Sequence, residues 1–274
     1  MIELQTDESH ASILRKGAYV ESLILNGVDI LKKTIDGVQP HGGLSVMIPY
    51  ADIVSNARYS FNGKEYRLPK NAGYEGDYIN SMHGLVLDKT WKVIDRKNNE
   101  IKLGLSLTEK CYPSKLMITV HYMIRSSEFE VFFKVKNVGK KDAPIMCGSH
   151  PYLLFDGYWK FQFHDAVVLL KNTDKLSVTT NRLKYNKITS LGGRQYDNAY
   201  FGGGEVDFVT RRKKIKIRRY NMPFFEIYNG IYSNPGSVAF EPLTGAPNCF
   251  NNGIGLKILK GNEEMNCGFS LALV

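Results

Sequence analysis

The stretch that decides the fold is "FEVFFKV", residues 129 to 135. Phe129, Val131, Phe133 and Val135 alternate with Glu130, Phe132 and Lys134. Side chains two apart share one face of a strand, so this run buries one face against a core. "IKLGLSL", residues 101 to 107, repeats the pattern with Ile101, Leu103, Leu105 and Leu107. Turn signals separate such runs, as in "DRKNNE" at 95 to 100 and "KNVGKKDAP" at 136 to 144. Asn62-Gly63, between "RYSF" and "KEYRL", predicts a two-residue hairpin, whose central residues need positive φ. Strands recur about every 10 to 15 residues to the end of the chain. Only short helical pieces are expected, around 42–55 and 186–192, and the triple glycine at 202–204 is expected to mark a tight turn. The fold class is all-β, a large antiparallel β-sandwich.

Composition agrees. The chain has 274 residues, of which 43% are hydrophobic, enough for one large domain spanning 1–274. The 12% share of aromatic residues favours strands. No run of 18 or more apolar residues is present, so a membrane partner is not expected. The start, "MIELQTDESH", lacks the basic-then-apolar plan of a secretory signal, which points to a cytoplasmic protein. Cys111, Cys147, Cys249 and Cys267 have no C-x-x-C spacing and read as reduced structural thiols.

The formal net charge of +9 concentrates in "RRKKIKIRR", residues 211 to 219. Ile215 and Ile217 alternate there with Lys214, Lys216 and Arg218, which is strand period with one basic face. A solvated strand explains this run. Nucleic-acid binding would add a recognisable module or interleaved aromatics, and neither is present.

Four places concentrate chemistry. In "PIMCGSHPYLLF", 144 to 155, His150 precedes a proline, which biases it towards extended backbone at a strand end or rim. In "NSMHGLVLDKTWKV", 80 to 93, His83 precedes Gly84, with Asn80 and Trp91 nearby as a polar hook and an aromatic face. In "SVAFEPLTGAPNCFNNG", 237 to 253, Val238 and Phe240 point one way and Glu241 the other. A carboxylate between Phe240 and Pro242 suits acid–base work near neutral pH. In "GGRQYDNAYFG", 192 to 202, Asp197 lies between Tyr196 and Tyr200 in a glycine-flanked loop, a way of holding a sugar by ring stacking and hydroxyl hydrogen bonds. Each has an ordinary alternative: a satisfied core histidine, a turn histidine beside a core tryptophan, a strand-end glutamate and an Asx turn. The histidines at 10, 41, 83, 121, 150 and 164 form no H-x-H or H-x-x-x-H pair, so no metal site is expected. No nucleophile elbow, P-loop or dinucleotide fingerprint is present either. What remains is cofactor-free acid–base chemistry on a polar organic ligand.

The order of "ARYSFNGKEYRLPKNAG", "NSMHGLV", "YPSKLMITVHYMI", "VKNVGKKDAPIMCGSHPYLLF", "YDNAYFG" and "AFEPLTGAPNCFNNGIGLKIL" resembles the aldose 1-epimerase (galactose mutarotase-like) family from about residue 15 onward. The resemblance implies a β-supersandwich and interconversion of the α and β anomers of a free sugar. It implies Glu241 as base, His150 as acid, and His83 and Asp197 as substrate-binding residues; Asn80 is grouped with them as a polar hook. The family's asparagine-arginine pair is replaced here by Asp52-Ile53, which changes which hydroxyls are recognised. Arg58 and Arg67 match ordinary hairpin positions. Two further readings stand beside this one. A hexose-6-phosphate 1-epimerase would use Lys70, Lys89 or Arg194 to meet a phosphate. A non-catalytic carbohydrate-binding protein would not need both His150 and Glu241. The expected partner is a small sugar, possibly phosphorylated, bound by a monomer or homodimer.

Overall fold

The structure, a computed structural model, describes residues 1–34, 36–74, 77–171, 176–178, 184–191, 193–233 and 235–274. Among them 18 strands join in one antiparallel network. Its centre is the pattern seen in the sequence. The strands Glu100–Thr108, Lys115–Ile124 and Glu128–Asn137 pair in register, so Leu103, Val120 and Phe133 line up in one row. All three are essentially fully buried, and their rows continue into one cluster of buried side chains. Each large side chain so buried contributes about 1.5–3 kcal/mol of transfer free energy.

The pairings form two series, joined by the 14-residue strand Asp197–Thr210. Its first residues, 197 to 201, pair with the strand Phe224–Tyr228, which leads through Ser237–Leu243 and Gly148–Leu154 to Leu44–Met47. Its last residues, 206 to 209, pair with Lys214–Tyr220, which leads through Glu264–Leu273 back to Glu128–Asn137. The change of partner falls at Gly202-Gly203-Gly204. The triple glycine is thus a corner inside a strand, not a tight turn between strands. All three residues have positive φ, and the pairing with the strand Trp159–Lys171 shifts register opposite them. A bulge of this kind lets one strand pass from one sheet to another. Arg219 ties the corner: Nη2 donates to the Gly202 and Gly204 carbonyls at 2.6 and 2.8 Å, and Nη1 to those of Met222 and Phe224 at 3.1 and 3.3 Å.

The Asn62-Gly63 hairpin forms as expected, between Arg58–Phe61 and Lys64–Arg67, with both turn residues at positive φ. The helical expectations fare differently. In 42–55 the chain forms strands at Leu44–Met47 and Ile53–Val54, and a 3-10 turn begins only at Ser55. Residues Lys184–Thr189 form a strand, and Gly192 lies outside the described residues. Among the described residues the α-helix is a single turn, Cys249–Asn252. No helix there is long and apolar enough to cross a membrane.

From Lys214 onward the basic run lies in the strand Lys214–Tyr220, whose Ile215 and Ile217 are buried. Lys214 pairs with Asp207, Lys216 with Glu205, and Arg218 with Glu205 and Glu128. Arg212 pairs with Asp156 as well, so four of the seven cations in the run have a carboxylate partner.

The corner generates a test. A Cβ on Gly203 would lie 3.1 Å from the Phe225 ring, on a backbone with φ of +81°. Gly203→Val is expected to lower unfolding free energy by about 2 kcal/mol or more, read as a reduced midpoint in urea at unchanged slope.

Candidate active site

Three strands carry the site. The ladder pairs Gly148 with Leu243 and Tyr152 with Ala239, so His150 stands opposite Glu241 midway between. On the other side, Glu241 pairs with Glu226. Directly facing residues share a face, so His150, Glu241 and Glu226 form one polar row across three adjacent strands. The opposite face of the same strands is apolar: Phe225 stacks on Phe240 at 5.0 Å, and Phe161 lies 5.3 Å from Phe240. Alternation therefore fixes the direction of Glu241 as firmly as it fixes the core. His150 occupies the interior of its strand, Gly148–Leu154, rather than an end or rim. Pro151 and Pro242, which supply no amide donor, flank the His150–Glu241 pair.

The imidazole and the carboxylate meet directly. His150 Nε2 lies 3.1 Å from Glu241 Oε1. The two residues are 4% and 3% exposed, and Glu226 is 2% exposed, so the row is shielded from bulk water. Burial, followed by the charge of His83, pushes the His150 imidazole well below the ordinary histidine range. Its ring stacks on Tyr152 at 4.7 Å and meets the edge of Tyr228 at 6.4 Å. Burial, then the nearby Glu241 carboxylate, pushes the Tyr152 phenol far up, so it remains a neutral hydrogen-bonding group.

His83 joins the cleft edge-on, its ring 5.3 Å from that of His150. Its position is backbone-made. His83 has φ of 61° and Gly84 of 85°, and the His83 N–H donates to the Asp52 carbonyl at 2.9 Å. Its Nδ1 lies 2.9 Å from Met47 Sδ. Asp52, itself buried, thus helps hold the His83 loop through its backbone carbonyl. Ile53 pairs with Met82 in a small separate sheet. Arg58 and Arg67 lie on the exposed face of the hairpin, and Arg67 pairs with Glu65.

The other expected residues fall as follows. Asp197 begins a strand rather than occupying a loop, and it pairs with Tyr228. It is exposed, and its charge helps raise the Tyr228 phenol, after burial has done most of that work. It therefore stands on the same face as Glu226 and Glu241, beside Tyr228, whose ring centroid lies 6.4 Å from that of His150. Asn80 accepts the Asn56 N–H at 2.9 Å through Oδ1, in the loop behind Ile53. Trp91 is fully buried in the core. Cys147 is buried as well, and contact with Cys267 together with burial pushes its thiol well up, away from any nucleophilic thiolate.

Several residues at the cleft escaped the sequence reading. Glu226 carries the same signal as Glu241, a carboxylate inside an apolar strand, here "FFEIY". Lys32, His41 and Tyr232 carry no local signal. They come together only in the fold, where His41 stacks on Tyr232 at 3.6 Å and Lys32 Nζ donates to the Tyr232 carbonyl at 2.8 Å. Lys89 is already paired with Glu109 at 2.8 Å, and the Arg194 guanidinium lies over Tyr196 at 5.4 Å. A cavity of about 960 Å³ opens near Gly202, Arg219, Phe224, Thr244 and Met265; none of His83, His150, Glu226 or Glu241 lines it. The buried acid–base row, not cavity size, marks the chemistry.

An imidazole and a carboxylate in contact, walled by tyrosines, are equipped to move protons on a hydroxyl-bearing ligand. Comparison with known proteins agrees with that chemistry. The family model for aldose 1-epimerase matches residues 1–272. The uncharacterized protein YihR of Escherichia coli K12 is 23% identical, with 98% of this chain and 92% of that protein covered. The aldose 1-epimerase of the same organism is 21% identical across 64% of this chain and 50% of its own length. A crystal structure of a galactose mutarotase-like protein from Lactobacillus casei superposes over the whole of both chains, with a TM-score of 0.82 at 14% identity. The chain belongs to the aldose 1-epimerase family, and its fold is the galactose mutarotase-like β-sandwich.

The buried imidazole gives a pH test. Its folded-state pKa lies below the unfolded value of about 6.5, so as pH falls the unfolded chain takes up this proton first. His150 therefore makes stability fall on acidification, and His150→Gln removes that contribution. Between pH 7.5 and 5.0 the wild type is expected to lose about 2 kcal/mol more than the variant, read from urea unfolding at both pH values.

Proposed function

We propose that the protein interconverts the α and β anomers of a free aldose, with Glu241 as base and His150 as acid. The observation that carries this reading is the 3.1 Å contact between the two groups on adjacent buried strands. Glu241 takes the proton of the C1 hydroxyl, His150 delivers a proton to the ring oxygen, the bond from C1 to the ring oxygen breaks, and a C1 carbonyl forms. After rotation about the bond from C1 to C2, the steps reverse on the other face. Glu241 returns its proton to the C1 oxygen, and His150 recovers its own as the ring closes. No net proton is gained or lost.

The cycle runs on the form of the pair that holds one proton, which burial of His150 makes the minor form at neutral pH; its two working states then differ only in which partner holds that proton. Carboxylate with imidazolium, and carboxylic acid with imidazole, have the same net charge. Burial disfavours the separated charges and draws the two states together in energy. His83 lies beside His150 and reaches the same ligand, whose ring oxygen it helps position. Asp197 and Tyr228 form the mouth and take hydroxyls. Asn80 contributes from behind by fixing the loop at Asn56. The free thiols of all four cysteines fit a cytoplasmic setting. Of the three cations that could meet a phosphate, Lys89 is engaged by Glu109, while Lys70 and Arg194 are exposed.

Polarimetry with freshly dissolved α-D-glucose and α-D-galactose tests the reading. The wild type is expected to accelerate the decay of optical rotation on at least one sugar. Glu241→Gln should lower that rate by about 10²-fold or more while still binding the sugar. No acceleration on either sugar would remove simple mutarotation of these aldoses. Sugar binding without turnover in the wild type would instead identify a binding protein.

A further inference from the structure

We propose that His41 is a sugar-binding residue, its Nε2 meeting a hydroxyl of the aldose on whose C1 end Glu241 and His150 act. The inference rests on the reading of the cleft as an aldose site and adds to it a residue from a segment that carries no local signal.

The imidazole is held in one orientation. Its Nδ1 lies 2.7 Å from Asp36 Oδ2, and its ring lies against that of Tyr232, 3.6 Å away and 9° from parallel. The backbone N–H of His41 donates to the Val38 carbonyl at 2.8 Å. Asp36 is fixed in turn, because its Oδ1 accepts the Thr34 hydroxyl at 2.8 Å and the Val38 N–H at 2.9 Å. The His41 contact, then the Val38 N–H, holds the Asp36 carboxyl well below the usual carboxylate range, so it is an anion at neutral pH. A carboxylate only accepts, so Nδ1 is the donor of the pair. Nε2 is the remaining ring nitrogen, with no hydrogen-bond partner among the described residues. It accepts from a hydroxyl when the ring is neutral and donates to one when the ring is charged, and a sugar hydroxyl answers either state.

The chain brings this ring to the acid–base row. Leu44 and Ser45 pair with Pro151 and His150, and the Tyr152 N–H donates to the Gly43 carbonyl at 3.0 Å. The segment that begins at His41 therefore runs alongside the strand of His150. Lys32 ties the stacking partner to the same strand: its Nζ donates to the Tyr232 carbonyl at 2.8 Å, and its N–H to the Tyr152 carbonyl at 2.9 Å. The electrostatics agree with this placement. Burial raises the Tyr152 and Tyr228 phenols, and Glu241 and Tyr232 both add to the effect. After burial and His83, the charge of His41 also helps hold the His150 imidazole down. His150, Tyr152 and Glu241 are buried, whereas the His41 side chain is 22% exposed and Tyr232 is 43% exposed. The stacked pair thus forms the open side of the group, where a bound sugar meets solvent, and His41 acts there on affinity rather than on proton transfer.

Calorimetric titration of the full chain with D-glucose, D-galactose and their monodeoxy analogues tests the proposal. His41→Phe keeps an aromatic ring against Tyr232 and removes both nitrogens. It is expected to weaken binding of the parent sugar about 5- to 10-fold, the contribution of one hydrogen bond. One analogue lacks the hydroxyl that His41 meets. On that analogue the wild type should lose the same factor, and His41→Phe should bind it no more weakly than the parent sugar. Equal affinity of the two proteins for the parent sugar overturns the proposal and leaves His41 a clasp between two loops. So does an equal penalty in both proteins on every analogue, and so does a wild type that binds neither parent sugar. If His41→Phe does not fold, His41→Leu takes its place in the same comparison. Binding requires no turnover, so a failure of mutarotation in polarimetry and a failure of the His41 contact are read separately.

Discussion

The arrangement of this molecule depends on one constraint: an imidazole and a carboxylate held in contact, both out of water, on neighbouring strands. Taking such groups out of water is costly, and their mutual contact offsets that cost only if the geometry is held. Here it is held by register. Gly148 with Leu243, and Tyr152 with Ala239, leave His150 no position except opposite Glu241. A slip of one residue in either strand would turn one of the two into the apolar layer where Phe225 and Phe240 stack. The core therefore enforces the site, because the packing that rewards Phe240 on one face leaves Glu241 on the other.

The same logic explains the triple glycine. A strand that serves the site at its beginning and the opposite series of strands at its end must bend sharply between. Three consecutive residues at positive φ accomplish this, and Arg219 gathers the carbonyls of the bend. The guanidinium also lies 4.7 Å over the ring of Phe225, beside Glu226 in sequence. The corner and the polar row thus lie on paired strands, Asp197–Thr210 and Phe224–Tyr228, and the stiffness of the first supports the placement of the second.

The strand content and the direction of Glu241 were legible because both follow from period two. Alternation in residues 101–107 and 129–135 became buried rows, and the turn at Asn62-Gly63 followed from its need for positive φ. What escaped were features set by distant partners. Gly202-Gly203-Gly204 looks the same in a tight turn and in a corner; only the exchange of pairing partners distinguishes them. His150 before Pro151 suggested a strand rim, since proline lacks a donor, yet the chain accommodates Pro151 and Pro242 inside two strands where the side chains, not the ladder, do the work. Glu226 was overlooked although its local signal equals that of Glu241, because nothing local tells which carboxylate faces a cleft. The stacking of His41 on Tyr232 has no trace in sequence at all, being a contact between segments 191 positions apart in numbering, a separation of roughly the kind that only the fold resolves.

Under the proposed function the site performs two tasks, and the segment Asp52-Ile53 separates them. On that proposal, proton transfer uses the His150–Glu241 contact, which Asp52 supports indirectly, since its carbonyl holds the His83 backbone. Selection among sugars needs donors placed around the ring, and an arginine that presents five of them has no counterpart at Asp52 or Ile53. Among the described residues, Arg67 pairs with Glu65, Lys89 with Glu109, and Lys216 with Glu205, so these three cations are already engaged. Lys32 is the contrasting case, a buried cation beside Tyr152 whose ammonium donates to the Tyr232 carbonyl and whose pKa burial pushes down. Chemistry and recognition thus rest on different parts of the fold. The first is fixed by strand register, which tolerates no drift. Under the same proposal the second is carried by the surrounding loops, where substitutions change the ligand without disturbing His150 and Glu241.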